Sequence, residues 1–297
     1  MPAYNATAVY TSSDITRNNP SCFLFIVDQS SSMAEQFGED RSIAQTKAEG
    51  VALALNNLIR NLVITCSKSD GIRNYFDVCV IGYGQTVQPA WSGALAGQEM
   101  VSIRDVANNY AAMREKTDMV DDGFGFGQSV PRTTKLPIWV TPTAKGSTLM
   151  CTALRYGYQV LSEWLYRAAT AFPPVIVHIT DGEATDGDPA PYLAALAGLG
   201  NTNGRVTLFN VHLSSRRAAE PLSFPDSADA LPKIGGRTDP YAKVLWEHSS
   251  YLTPFMRNVA WENGLMLSER SRAFVLNADP SLLVLSLEIG TRPGAMW

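Results

Sequence analysis

Four short apolar runs restrict the fold of this chain more than any other feature. They are CFLFIVD (22–28), YFDVCVIGYG (75–84), VIVHITD (175–181) and VTLFNVHLS (206–214). Each is rich in β-branched or aromatic residues and bounded by Gly, Pro, Asn or Asp. Their apolar character does not alternate, which is the pattern of strands buried on both faces of a parallel sheet.

The segments between these runs read as helices. Residues 42–62 place Ile43, Ala44, Ala48, Val51, Leu55, Leu58 and Leu62 on one stripe. Residues 149–169 repeat the pattern despite Gly157, and residues 191–199 form a shorter helix after Asp188 and Pro189, which supply its cap and first turn. Strands alternating with helices imply an α/β chain: a doubly wound, mostly parallel central sheet flanked by helices, Rossmann-like in outline.

The organisation expected along the chain has three parts. Residues 1–20 form a polar tail or edge strand without the features of a secretory signal. Residues 21–215 form the main domain, with an insertion at about 86–145 in which VSIRDVA reads as a strand and VDDGFGFGQSV as a mobile loop. Residues 216–297 form a proline-rich surface loop and a C-terminal helical extension packed on the same domain. In that extension a helix is interrupted near Pro254, and an extended piece precedes a second helix from Pro280.

Composition excludes some partners. With 45% hydrophobic and 18% charged residues the chain has an ordinary globular make-up. A net charge of −4 does not suit a nucleic-acid partner, which needs a basic face. No apolar run reaches the ~18 residues of a membrane span. The four cysteines, Cys22, Cys66, Cys79 and Cys151, lack C-x-x-C spacing, so zinc is not expected. Buried free thiols in a reducing, cytoplasmic setting are the reading.

In an open α/β sheet, ligands bind beyond the carboxyl ends of the strands. The first run ends Asp28-Gln29-Ser30-Ser31-Ser32, and the third ends Asp181-Gly182-Glu183. Between them, Lys145-Gly146-Ser147-Thr148 opens the long helix. Two carboxylates brought together repel, and one pKa rises, unless a cation lies between them. Carboxylates and hydroxyls without nitrogen or sulfur suit a hard cation, Mg²⁺ first, with Mn²⁺ or Ca²⁺ as alternatives. The D-x-S-x-S spacing puts Asp28, Ser30 and Ser32 on one side of a tight loop, with Gln29 and Ser31 directed elsewhere.

Each segment also has a plainer explanation. Ser30 or Ser32 could cap a helix, Thr148 could cap the next one, and Asp181 could open a turn with Gly182. The acidic run 181–188 does not keep the ligand positions of an EF-hand, and Glu183, Asp186 and Asp188 read as a solvated rim.

Taken together and in order, D-x-S-x-S, G-S-T-x-x-x-x-A-L and a strand ending T-D-G-E resemble the von Willebrand factor A domain family, over about residues 20–215. The resemblance implies a metal-ion-dependent adhesion site. In it Ser30, Ser32 and Thr148 would be hydroxyl ligands, while Asp28 and Asp181 would hold bound waters and supply charge. A sixth position is left for an Asp or Glu from a partner protein. The C-terminal pattern is similar to that of stand-alone bacterial cytoplasmic members, some encoded beside protein kinases or PP2C-type phosphatases, or in stress and conflict clusters. A regulatory or adaptor role follows from that likeness.

Enzymatic readings lack parts. A haloacid-dehalogenase-type phosphatase needs a second acid two residues after the first, where this chain has Ser30. No G-x-S-x-G elbow or G-x-x-x-x-G-K-[ST] loop occurs. His178 and His212 lie within apolar strands and read as satisfied core histidines. The expectation is a binding module that is not an enzyme; the rival is a structural subunit whose metal only stabilises the loops.

Overall fold

The computed structural model describes residues 15, 19–37, 45–121, 129–213 and 220–292. Their main body is a mixed, mostly parallel sheet covered by helices on both faces. Strand β1 (Ser21–Asp28) lies at its centre, flanked in parallel by β2 (Phe76–Tyr83) and by a strand at Val175–Thr180. All eight residues of β1 are buried. Alternate side chains leave opposite faces of a strand. Phe23, Phe25 and Val27 therefore enter one core, and Cys22, Leu24 and Ile26 enter the other.

Helix α1 (Lys47–Cys66) follows β1 and covers the first face with Val51, Leu55 and Ile59. The helix starts later than the apolar stripe suggests, because Thr46 and Glu49 form a reciprocal capping box. Residues 42–44 of that stripe lie outside the described residues.

Two short strands, β3 (Val87–Pro89) and β4 (Val101–Ser102), add antiparallel to β2. The expected strand at VSIRDVA is mostly a helix, α2 (Ile103–Asn108). Ser102 accepts a hydrogen bond from the Asp105 N–H, and Ile103 and Val106, three apart, are the buried pair. That spacing suits a helical turn, not an alternating strand. The insertion also contains a two-stranded ribbon, β5 (Ala112–Asp121) with β6 (Ser129–Ile138), which flanks the segment VDDGFGFGQSV (120–130) expected as a mobile loop. A ribbon has two free edges, so it tolerates Pro131 and Pro137. The tip, residues 122–128, lies outside the described residues.

The second face is covered by α3 (Met150–Arg167), which leads into β7 (Val175–Thr180), and then by α4 (Ala190–Gly198). Gly157 permits the close approach of α3 to the sheet: a Cβ there would stand 2.8 Å from the Ile26 Cδ1. Strand β8 (Thr207–Leu213) extends the sheet in parallel beside β7.

The C-terminal third also contributes to the sheet. Residues Leu222–Ser223 form β9, followed by α5 (Pro240–His248), α6 (Pro254–Glu262), β10 (Phe274–Ala278) and α7 (Pro280–Thr291). Strand β10 pairs in parallel with β8, and β9 closes that edge antiparallel. The resulting order is β9-β10-β8-β7-β1-β2-β3, with β4 also on β2. The four cysteines are buried and unbridged. No helix among the described residues is long and apolar enough to cross a membrane.

Candidate functional site

The chain leaves β1 to one side, toward α1 and β2, and reaches β7 on the other side of β1. The carboxyl ends of β1 and β7 are therefore adjacent, the position where open α/β sheets receive ligands. Asp28 closes β1 and is 1% exposed; Asp181 follows β7 directly and is 4% exposed.

Four of the five candidate residues form one hydrogen-bonded chain. The Ser30 N–H donates to Asp28 Oδ1 at 2.8 Å. The Ser30 and Ser32 hydroxyls lie 3.0 Å apart, and the Ser32 hydroxyl donates to Asp181 Oδ1 at 2.7 Å. Thr180 Oγ1 donates to Asp28 Oδ2 at 3.2 Å, a contact that sequence reasoning missed.

Thr148, the fifth, makes no hydrogen bond to the other four among the described residues, but the loop that precedes it is tied to the Ser30–Ser32 loop. The Ser31 N–H donates to the Gly146 carbonyl at 3.0 Å, and the Gly146 N–H donates back to Ser31 Oγ at 3.1 Å. Gly146 holds this turn at φ +84°, a left-handed conformation suited to glycine. On the other side the Thr148 carbonyl accepts from the Thr185 N–H and hydroxyl. Ser31 is thus engaged with the neighbouring loop, as its place in the alternation requires.

The capping explanations fail on geometry. Ser30 precedes a short 3-10 turn (Ser31–Ala34), but its side chain makes no cap hydrogen bond. Leu149, not Thr148, is the N-cap of α3, and it supplies no side-chain cap either. The free N–H groups of Cys151 and Thr152 at the start of α3 instead donate to the Asp186 carboxylate at 2.9 and 2.8 Å. Burial raises the Asp186 carboxyl, but these donors outweigh it and hold its pKa below the usual carboxylate value. Asp186 is therefore a helix cap and not part of a solvated rim. Asp188 accepts from Ala190 N–H at the start of α4, as its position suggested.

Two further residues shape the charge of the site. Lys47, fully buried at the first turn of α1, donates to Asp181 Oδ2 at 2.9 Å and to Glu35 Oε2 at 2.8 Å. Among the described residues Asp28 has no such cation in hydrogen-bond contact with it. Burial pushes its carboxyl up to about 6, and the nearby Asp181 pushes the same way against the hydrogen bonds from Ser30 and Thr180.

The candidate donors are two carboxylates and three hydroxyls, which fits a hard divalent cation of the Mg²⁺ class. The Thr148 hydroxyl makes no hydrogen bond among the described residues although the residue is buried. No group of three or more His, Cys, Asp or Glu gathers among the described residues, so a softer nitrogen- or sulfur-rich centre is not formed there.

His178 is buried and satisfied. Its Nδ1–H donates to Asn210 Oδ1 at 2.9 Å, since the Asn210 amide nitrogen donates to the Leu245 carbonyl and the Ser249 hydroxyl. Nε2 then accepts from the Tyr83 hydroxyl at 2.9 Å. His212 is half-buried and lies edge-on to Tyr241.

No family model matches the chain, and no curated protein matches it. Among solved structures it is similar to the three N-terminal domains of the type V pili tip protein Mfa5 from Porphyromonas gingivalis, at 12% identity and TM-score 0.31, covering 56% of this chain and 20% of that one. The vWF domain of Mfa5 alone aligns at 11% identity and TM-score 0.29, covering 56% of this chain and 39% of that one. The pilus adhesin RrgA from Streptococcus pneumoniae aligns at 19% identity and TM-score 0.30, with 60% of this chain and 22% of that one covered. The chain spans less than half the length of each.

Proposed function

We propose that the chain is a metal-dependent protein-binding module of the von Willebrand factor A type, not an enzyme. Asp28, Ser30, Ser32, Thr148 and Asp181 would hold a divalent cation, Mg²⁺ first, and an Asp or Glu of a partner protein would complete its coordination. The observation that carries this reading is the hydrogen-bonded run Asp28–Ser30–Ser32–Asp181, which gathers oxygen donors from two distant segments at one sheet edge. When bound, the cation supplies a positive centre that attracts a carboxylate. The chain's own part is to align the hydroxyls toward it and to keep two aspartates nearby for charge. Such a module serves as a regulatory or adaptor subunit, in the cytoplasm of a bacterium, and its partner is a signalling or defence protein such as a kinase or PP2C-type phosphatase.

The test is partner capture from the native host with the wild type and the double variant Asp28→Ala/Ser30→Ala, each with and without EDTA. Captured partner should fall with either change. Retention of the partner through both would sink the adhesion reading.

A further inference from the structure

Lys47 is a buried charge at the site that the adhesion motif does not account for. It is 0% exposed, and burying an ammonium is costly unless carboxylates receive it. Here Asp181 Oδ2 and Glu35 Oε2 receive it at 2.9 and 2.8 Å. The two oxygens of Asp181 are thereby divided: Oδ1 takes the Ser32 hydroxyl and Oδ2 takes the ammonium. The α1 capping box fixes the backbone from which Lys47 projects, and the Lys47 N–H is further tied to the Glu35 carbonyl at 2.9 Å. The ammonium is thus a built feature and not a surface side chain that has folded inward.

We propose that Lys47 is a resident cation of this site, which stands in for part of the divalent ion's charge when the ion is absent and competes with the ion for Asp181 when it is present. This inference rests on the metal-binding reading given above. Two like charges a few ångströms apart in a buried setting repel strongly. A divalent ion near Asp181 therefore binds against the Lys47 charge. Glu35, whose side chain is 55% exposed, offers the ammonium a second anchor at the rim once Asp181 is claimed by the ion. The consequence is a site with weakened affinity for the free ion, in which a partner carboxylate adds the negative charge that the lysine has offset.

The test is direct Mn²⁺ binding, read from the electron paramagnetic resonance signal of the free ion, in the wild type, Lys47→Met, Lys47→Gln and Asp28→Ala/Ser30→Ala. Removing the ammonium should tighten Mn²⁺ binding at least about tenfold, which corresponds to about 1.4 kcal/mol of relieved repulsion. Lys47→Gln keeps a donor for Asp181 and serves where Lys47→Met does not fold. Glu35→Gln, at a half-exposed position, serves where neither folds, and it should weaken binding by removing a carboxylate that draws the ammonium away from Asp181. Unchanged or weaker binding in the Lys47 variants, or unchanged binding in Glu35→Gln, overturns the role of Lys47 and leaves the adhesion reading standing. Mn²⁺ binding that is present in the wild type and equally strong in Asp28→Ala/Ser30→Ala overturns the adhesion reading itself, and the inference with it. Binding that exists only in the Lys47 variants supports the resident cation and overturns metal-dependent adhesion in the native chain.

Discussion

The Ser32 hydroxyl reaches Asp181 at 2.7 Å although 149 positions separate the two residues. That contact needs the loop after β1 to stand at a fixed distance from the loops at the other strand ends. Gly84, just past β2, sets part of that distance. A Cβ on Gly84 would lie 2.5 Å from both the Gln29 and the Lys145 carbonyl oxygens, and backbone cannot give way as a side-chain tip can. The Lys145 N–H also donates to the Gln29 carbonyl at 2.6 Å.

Gly84→Ala should therefore pry the Gln29 and Lys145 loops apart. The expected cost is about 1–3 kcal/mol of stability, the range for overpacking a close contact. Chemical denaturation measures it. Mn²⁺ affinity should fall together with stability, and a variant with both unchanged would show that the loop spacing does not depend on Gly84.

Asp186→Ala removes the acceptor for the first N–H groups of α3. Loss of a helix cap costs about 0.5–2 kcal/mol. The melting temperature should fall accordingly. Asp186→Asn retains one acceptor oxygen and should lose less. If both variants melt with the wild type, water satisfies the start of α3 equally well.

His178 gives the fold a defined response to acid. Burial lowers its pKa to about 4 from the ordinary 6.5, against the opposing hydrogen bond from Asn210. The unfolded chain therefore takes up the proton at higher pH than the folded one. The stability held by neutral His178 is complete above pH 6.5 and is lost as pH falls toward about 4, by about 3 kcal/mol across that window. His212 is lowered to about 4 by burial as well, so the contribution of His178 is read by difference. Urea titrations at pH 7 and pH 4.5 should show a smaller drop for His178→Gln than for the wild type. An equal drop in both would place the acid response elsewhere.

Sequence could expose the aspartates and serines because each closes an uninterrupted apolar run, and a parallel sheet brings such ends together by topology alone. The same logic located β1, β2, β7 and β8 to within a residue or two of their ends. It could not expose Lys47, because a lysine in the first turn of an amphipathic helix reads as solvated. Only the tertiary path puts it against Asp181, 134 positions away. Asp186 was misread for a similar reason: its partners, Cys151 and Thr152, begin a helix some 35 positions earlier. The short helix at Ile103–Asn108 was missed because six residues carry too few periods to separate a helical stripe from strand alternation.

Metal should also act on stability. A ligand that binds only the folded chain stabilises it by RT ln(1 + [L]/Kd), about 2.7 kcal/mol at a hundredfold excess over Kd. Mg²⁺ should therefore raise the melting temperature of the wild type, and EDTA should return it to the metal-free value. Asp28→Ala/Ser30→Ala should show no Mg²⁺ dependence. Lys47→Gln should start lower, because Asp181 loses its ammonium, and should gain more from Mg²⁺ than the wild type does. A purely structural metal makes a different prediction: the same melting shifts, with partner capture indifferent to EDTA. Measuring melting and capture on one set of variants separates a cation that recruits a partner from one that only secures the loops at the ends of β1 and β7.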